Sequence, residues 1–125
     1  MSLADASTMS LYMDITGDGH LVTSDMFNAI AKRHTNTGRV VFNNFVTQIE
    51  KQRGVAVVPD GSILVTGSSQ KTLNLFSSKG AWIKQLWSVP SDRDEDDKLW
   101  NVSTDEKVCV CVTRDGSVYI LECVY

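Results

Sequence analysis

One strand-and-turn phrase is written three times in this chain at nearly constant spacing. Gly17-Asp-Gly-His-Leu-Val-Thr23 recurs as Pro59-Asp-Gly-Ser-Ile-Leu-Val-Thr66, so that Asp60 follows Asp18 by 42 positions, and Thr37-Gly38 recurs as Lys79-Gly80 in the same register. Thr104-Asp-Glu-Lys-Val-Cys-Val-Cys-Val-Thr113 is a third copy, with Asp105 coming 45 positions after Asp60. A fixed period of this length marks a chain built from repeated supersecondary units, none of which buries its apolar surface alone.

The second copy shows what one unit contains. Arg53 to Pro59 reads as a strand ended by the Pro-Asp-Gly turn, Ser62 to Thr66 as the next strand, Gly67 to Lys71 as a turn, and Thr72 to Ser77 as a third strand. Ala81 to Trp87 follows as a fourth, with Trp82 and Lys84 expected on one face and Ile83 and Gln85 on the other. Four short strands in a meander, repeated every 40 to 50 residues or so, is the period of a β-propeller blade, whose small sheets must stack face to face. The predicted fold is therefore all-β: three four-stranded antiparallel propeller blades, a half propeller. Blade 1 spans about 9–49, blade 2 about 53–89, an acidic connection 90–97, and blade 3 about 98–125 with its outer strand missing. The near-continuous apolar run Val108 to Val112 fits a strand covered on both faces. Met26 to His34 (MFNAIAKRH) is the weakest part of this reading, since taken alone it passes for a helix.

Arg53-Gly-Val-Ala-Val with Pro-Asp-Gly-Ser-Ile-Leu-Val and Phe-Ser-Ser-Lys-Gly resembles an NHL repeat, the propeller unit at the C-terminus of many tripartite-motif proteins. The same stretch, with Thr113-Arg-Asp-Gly-Ser-Val-Tyr-Ile-Leu121, is also similar to a WD repeat, although Leu75-Phe76 and Ile120-Leu121 stand where the Trp-Asp dipeptide would be. The resemblance implies a propeller that binds a protein. It also brings in RNA, which some NHL propellers bind, and metal-dependent lyase chemistry, which some NHL-like propellers perform.

Composition narrows the classes. The chain of 125 residues is of one-domain size, 42% apolar and 22% charged with two prolines, which is ordinary for a globular protein. Its net charge of -3 argues against a protein that binds nucleic acid mainly through backbone phosphates. No apolar run approaches the roughly 18 residues of a membrane span, and the first residues (MSLADASTMS) lack a secretory signal, so the expectation is an intracellular protein without a membrane partner. Three cysteines make a poor disulfide framework; Cys109 and Cys111 project from one strand face and are expected as buried thiols.

Several local patterns suggest sites. Asp14 to Asp25 partly fits a calcium-binding loop, with Asp14, Thr16 and Asp18 in ligand positions, Gly19 at the sharp turn and Asp25 last, where the bidentate Glu normally stands. Because Asp18-Gly19 superposes on Asp60-Gly61, a hairpin turn is the preferred reading and no metal is expected. Lys32, Arg33, His34, Arg39, Lys51 and Arg53 form the one basic concentration, a candidate patch for RNA or another anion. Asp92, Asp94, Glu95, Asp96 and Asp97 form a candidate acidic docking loop between the second and third units. No nucleophile elbow, His-bearing metal motif or phosphate-cradling glycine loop is present, so neither an enzyme nor a cofactor is expected.

Strand counting leads to assembly. Three blades fall short of the four to eight that close a ring, so the outer faces of the first and third blades stay open. The expectation is self-association, with a homodimer making a six-bladed ring and residues of about Leu3 to Thr8 adding to the third blade of the other copy, or completion by missing blades of a longer propeller.

Overall fold

The computed structural model describes residues 10–16, 18–25, 29–46, 49, 52–67, 71–90, 99–105, 107–113 and 117–122. Each strand phrase of the sequence is a strand. The first sheet contains β1 (Ser10–Ile15), β2 (His20–Asp25), β3 (Ala29–His34) and β4 (Val40–Phe45). β5 (Gln52–Val57), β6 (Ile63–Gly67), β7 (Thr72–Phe76) and β8 (Trp82–Ser88) form the second. The third holds β9 (Leu99–Thr104), β10 (Val108–Thr113) and β11 (Val118–Glu122). All three are antiparallel meanders in which sequence neighbours pair.

The 42-position repeat is visible in the backbone. The Thr16 N–H bonds the His20 carbonyl as the Val58 N–H bonds that of Ser62, and the Gly19 N–H bonds Thr16 as the Gly61 N–H bonds Val58. Gly19 and Gly61 close these turns at φ of 83° and 92°, the left-handed region that a side chain disfavours. Asp18-Gly19 thus ends a hairpin in which Asp14 lies opposite Val22.

The sheets stack in chain order, with β1, β5 and β9 side by side as the innermost strands. Val22 and Ile30 of the first sheet pack on Val55, Ile63, Val65 and Phe76 of the second. On the opposite face of that second sheet, Ala56, Leu64, Leu73 and Leu75 pack on Val102, Cys109 and Cys111 of the third. Every residue of β6 and β7 is consequently buried. Polar bonds tie the first pair of sheets: Ser24 Oγ donates to the Arg53 carbonyl (2.6 Å), the Val57 N–H to Asp14 Oδ2 (2.8 Å), and Asn44 Nδ2 to the carbonyls of Lys79 and Gly80.

Ala29–His34 of the helix-like stretch is a strand, as the all-β reading expected, because pairing on both sides with β2 and β4 satisfies its backbone; Met26 to Asn28 lie outside the described residues. Two expectations change. Trp82 and Lys84 do not share a face: Trp82 pairs with Phe76 and Lys84 with Leu75, with Ile83 as an extra residue at a bulge between them. β10 is covered on one face only, Cys109 and Cys111 being buried while Val108 and Val110 are half-buried, since no described sheet lies beyond the third.

Candidate interaction surfaces

The register defines what the two end sheets leave uncovered. Val118 and Ile120 lie opposite Val112 and Val110, just as Leu73 and Leu75 lie opposite Thr66 and Leu64 in the second sheet. Leu73 and Leu75 are 1% and 6% exposed under the third sheet, whereas Val118 and Ile120 are 58% and 70% exposed. At the other end, Met13 and Ile15 correspond to Val55 and Val57; Met13 is 63% exposed where Val55 is 4%. Val40 and Val41 on β4 are exposed as well, but so are Trp82 and Ile83 at the matching bulge of β8, so the outer strand adds nothing to this contrast. Singly exposed apolar residues are common, but a contiguous stripe at positions that the central sheet buries marks a contact surface.

At the turn-bearing end a cavity of about 590 Å³ opens between the sheets, lined by Asp18, Asp60 and Asp105 from the three equivalent turns, by Lys32, and by Val57 and Pro59. Accepted hydrogen bonds hold these carboxylates below the ordinary value. The Thr16 hydroxyl and then the His20 ring bring Asp18 to about 2; the Ser62 N–H lowers Asp60, and those of Lys107 and Val108 lower Asp105. The three residues were visible in the sequence as repeat markers. Their gathering at one cavity could have been read from their shared place beside the innermost strands.

The basic concentration divides. Lys32 and Arg33 are adjacent on β3 and so project to opposite faces; Lys32 lines the cavity, while Arg33 donates to the Gly38 carbonyl (3.2 Å). His34 and Arg39 are brought together, an Arg39 terminal nitrogen lying 2.9 Å from His34 Nε2, and the His34 ring packs on His20 at 4.4 Å. Desolvation first, and then the His20 charge, lower the pKa of His34. Arg53 sits on β5, away from this pair in the fold order; Lys51 lies outside the described residues. Asp92, Asp94, Glu95, Asp96 and Asp97 also lie outside them.

Of the calcium-loop residues, Asp14, Thr16 and Asp18 stand at the hairpin mouth, but Asp25 pairs with Ser10 at the far end of β1–β2, roughly 13 Å of strand away. Among the described residues no three His, Cys, Asp or Glu side chains gather where they could hold a metal ion. The thiols of Cys109 and Cys111 are buried between the second and third sheets, and burial pushes that of Cys111 up to about 12.

Consecutive antiparallel sheets stacked face to face around adjacent inner strands are blades of a β-propeller, in the form seen in WD40 domains. The chain is similar in structure to U3-55K (TM-score 0.72, 15% identity, 94% of this chain and 35% of that one). It is also similar to the WD40 β-propeller domain of Doa1 (0.68, 18%, 90% and 36%) and to the RRP9 WD40 repeats (0.70, 16%, 89% and 33%). At these identities the likeness is one of fold, and the chain spans about a third of each of those structures. No family model and no curated protein matches the sequence. No helix among the described residues is long and apolar enough to cross a membrane.

Proposed function

We propose that the chain is a non-enzymatic β-propeller module that works by binding other protein, and that its first partner is whatever completes its ring: a second copy or further blades. The observation that carries this reading is the exposure of Val118 and Ile120 at the positions where Leu73 and Leu75 are buried. A face built for stacking in the central sheet is repeated, uncovered, at the end. The edge strand β11 has one described partner, β10, which leaves room for a strand from elsewhere; residues of about Leu3 to Thr8 of another copy would serve. Three blades from each of two copies fall within the four to eight that close a ring. The blade limits of the sequence reading, about 9–49, 53–89 and 98–125, belong to the same proposal.

The resemblance to propellers that bind RNA or act as lyases finds less support in the geometry. Strand alternation separates Lys32 from Arg33, and the described residues gather no ligand set. Light scattering on the purified chain tests the leading reading: a species of twice the 13.8 kDa chain mass at micromolar concentration is expected. A 13.8 kDa monomer with a cooperative melt would defeat completion by a second copy.

A further inference from the structure

We propose that the turn between β3 and β4 holds a single phosphoryl group, borne by a partner as a phosphate monoester or met as free phosphate, between the Arg39 guanidinium, the His34 ring and the Thr37 hydroxyl. Each copy carries such a turn, whether or not copies pair.

His34, Asn36, Thr37 and Arg39 line a cavity of about 260 Å³ at this turn. Its shape is held from within: the His34 N–H donates to the Arg39 carbonyl and the Gly38 N–H to the His34 carbonyl, both at 2.9 Å, while the Arg39 N–H donates to Thr37 Oγ1 at 3.2 Å. Because that oxygen already accepts, the Thr37 hydroxyl keeps its hydrogen for a ligand. Arg33 donates to the Gly38 carbonyl, which brings a second guanidinium to the same turn.

The company that Arg39 keeps points to an anion. Its terminal nitrogen lies 2.9 Å from His34 Nε2, and among the described residues neither Arg33 nor Arg39 meets a carboxylate. A guanidinium always carries its hydrogens, so His34 Nε2 faces it with a lone pair and the ring is neutral. A neutral imidazole uses one donor of a fork that fits two phosphate oxygens at once. The charged and titratable groups around His34 are Asp18, His20, Arg39 and Lys32, and desolvation first, then its cationic neighbours, favour the neutral ring. Asp18 opposes them, but its carboxylate is engaged by His20 Nδ1 (2.8 Å) and the Thr16 hydroxyl. A phosphoryl group in the cavity reverses the balance: its oxygens take the Arg39 N–H groups, and His34 takes a proton from solvent at Nε2 and donates it to the same group. Binding is therefore linked to proton uptake.

The surroundings favour one phosphoryl group over the row of phosphates along RNA. Lys32 lines a different cavity and Arg53 lies on β5, so the described cations form no track leading from the turn, and the chain carries a net charge of -3.

NMR of the histidine rings in the full chain tests this, with His20→Gln to assign the signals and with phosphate, sulfate, N-acetyl-phosphoserine amide and dimethyl phosphate as probes. Sulfate keeps its double charge where a phosphate monoester takes up a proton near pH 6 or so, and so isolates the histidine. The three dianions should move the His34 signals saturably and raise its pKa, with sulfate affinity climbing about threefold or more from roughly pH 7 to pH 6. Arg39→Gln, with its β spectrum verified by circular dichroism, should lose about fivefold or more in affinity, and Arg39→Lys less. Should Arg39→Gln fail to fold, Thr37→Ala replaces it, with an expected loss of about twofold or more. Tighter binding of the phosphoserine amide than of phosphate supports a monoester on a protein partner, and the reverse order supports free phosphate. Shifts that never saturate, or that persist unchanged in the folded variants, overturn the site. Dimethyl phosphate binding as well as the monoester, or a single-stranded oligouridylate displacing it with a steep salt dependence, overturns it in favour of a nucleic-acid surface. All of these outcomes leave the ring-completing contacts standing.

Discussion

Gly54 lies so close to Asn101 that a Cβ built on it would stand 2.5 Å from the Asn101 Cα and 2.7 Å from the Val102 nitrogen. This is where β5 and β9 run side by side, and the Gly54 N–H also donates to the buried Thr66 Oγ1 at 2.8 Å. Gly54→Ala should therefore force the second and third sheets apart, at a cost of about 1–3 kcal/mol. Urea denaturation measures it; an unchanged midpoint would mean that the two strands do not approach as described.

Leu75 and Ile120 hold equivalent positions with opposite exposure. Leu75→Ala should lose about 2–5 kcal/mol at every protein concentration, as core truncations do. Ile120→Ala should lose less than about 1 kcal/mol in dilute solution and more where copies pair. Thermal melts over a hundredfold range of concentration separate the two; equal, concentration-independent losses would show that Ile120 is covered within one chain.

Acid should weaken the fold in two stages. The lowered pKa of His34 means that the unfolded chain takes up a proton near the ordinary 6.5 while the folded chain does not, so stability falls as pH drops from about 7. Asp18 drops from 3.8 to about 2 on folding, and Asp60 and Asp105 shift the same way; their contribution is complete above pH 4 or so and fades toward pH 2. His34→Gln should flatten the first stage and Asp105→Asn should reduce the second, read from urea midpoints at successive pH values. A His34→Gln profile that kept the full first-stage slope would place that titration elsewhere.

Cys111 should resist a small disulfide reagent at pH 8 in the folded protein, because burial raises its thiol to about 12, and should react promptly in urea. A Cys123→Ser background keeps the readout on Cys109 and Cys111. Fast native reaction would show that the third sheet separates readily from the second.

The strand phrases were legible because their turns carry their own chemistry: Pro59-Asp-Gly61 fixes one end of β6, and the Asp18-to-Asp60 offset carries the same hairpin into the first sheet. Met26 to His34 was legible only through the repeat, since Ala29, Ala31 and Lys32 favour a helix locally and pairing with β2 and β4 is what makes 29–34 a strand. The candidate sites were less legible than the fold. Lys32, Arg33 and His34 read as one patch in a line of text, and a period of two sends the middle residue to the opposite face. β8 carries two extra residues, Ile83 and Leu86, the first of which puts Trp82 and Lys84 on different faces, and neither leaves a mark in the sequence.

That the open ends are unlike faces means that nothing in the contact itself counts to two. Each copy joined to a row would regenerate both ends, and the rotation from one sheet to the next alone decides whether the row bites its own tail or keeps growing as a fibre. That rotation is set near the axis, where Gly54 lets β9 approach β5. A substitution there could turn a closed particle into an endless one without weakening any seam, so the hazard of polymerisation lies in the middle of the chain and not at its ends.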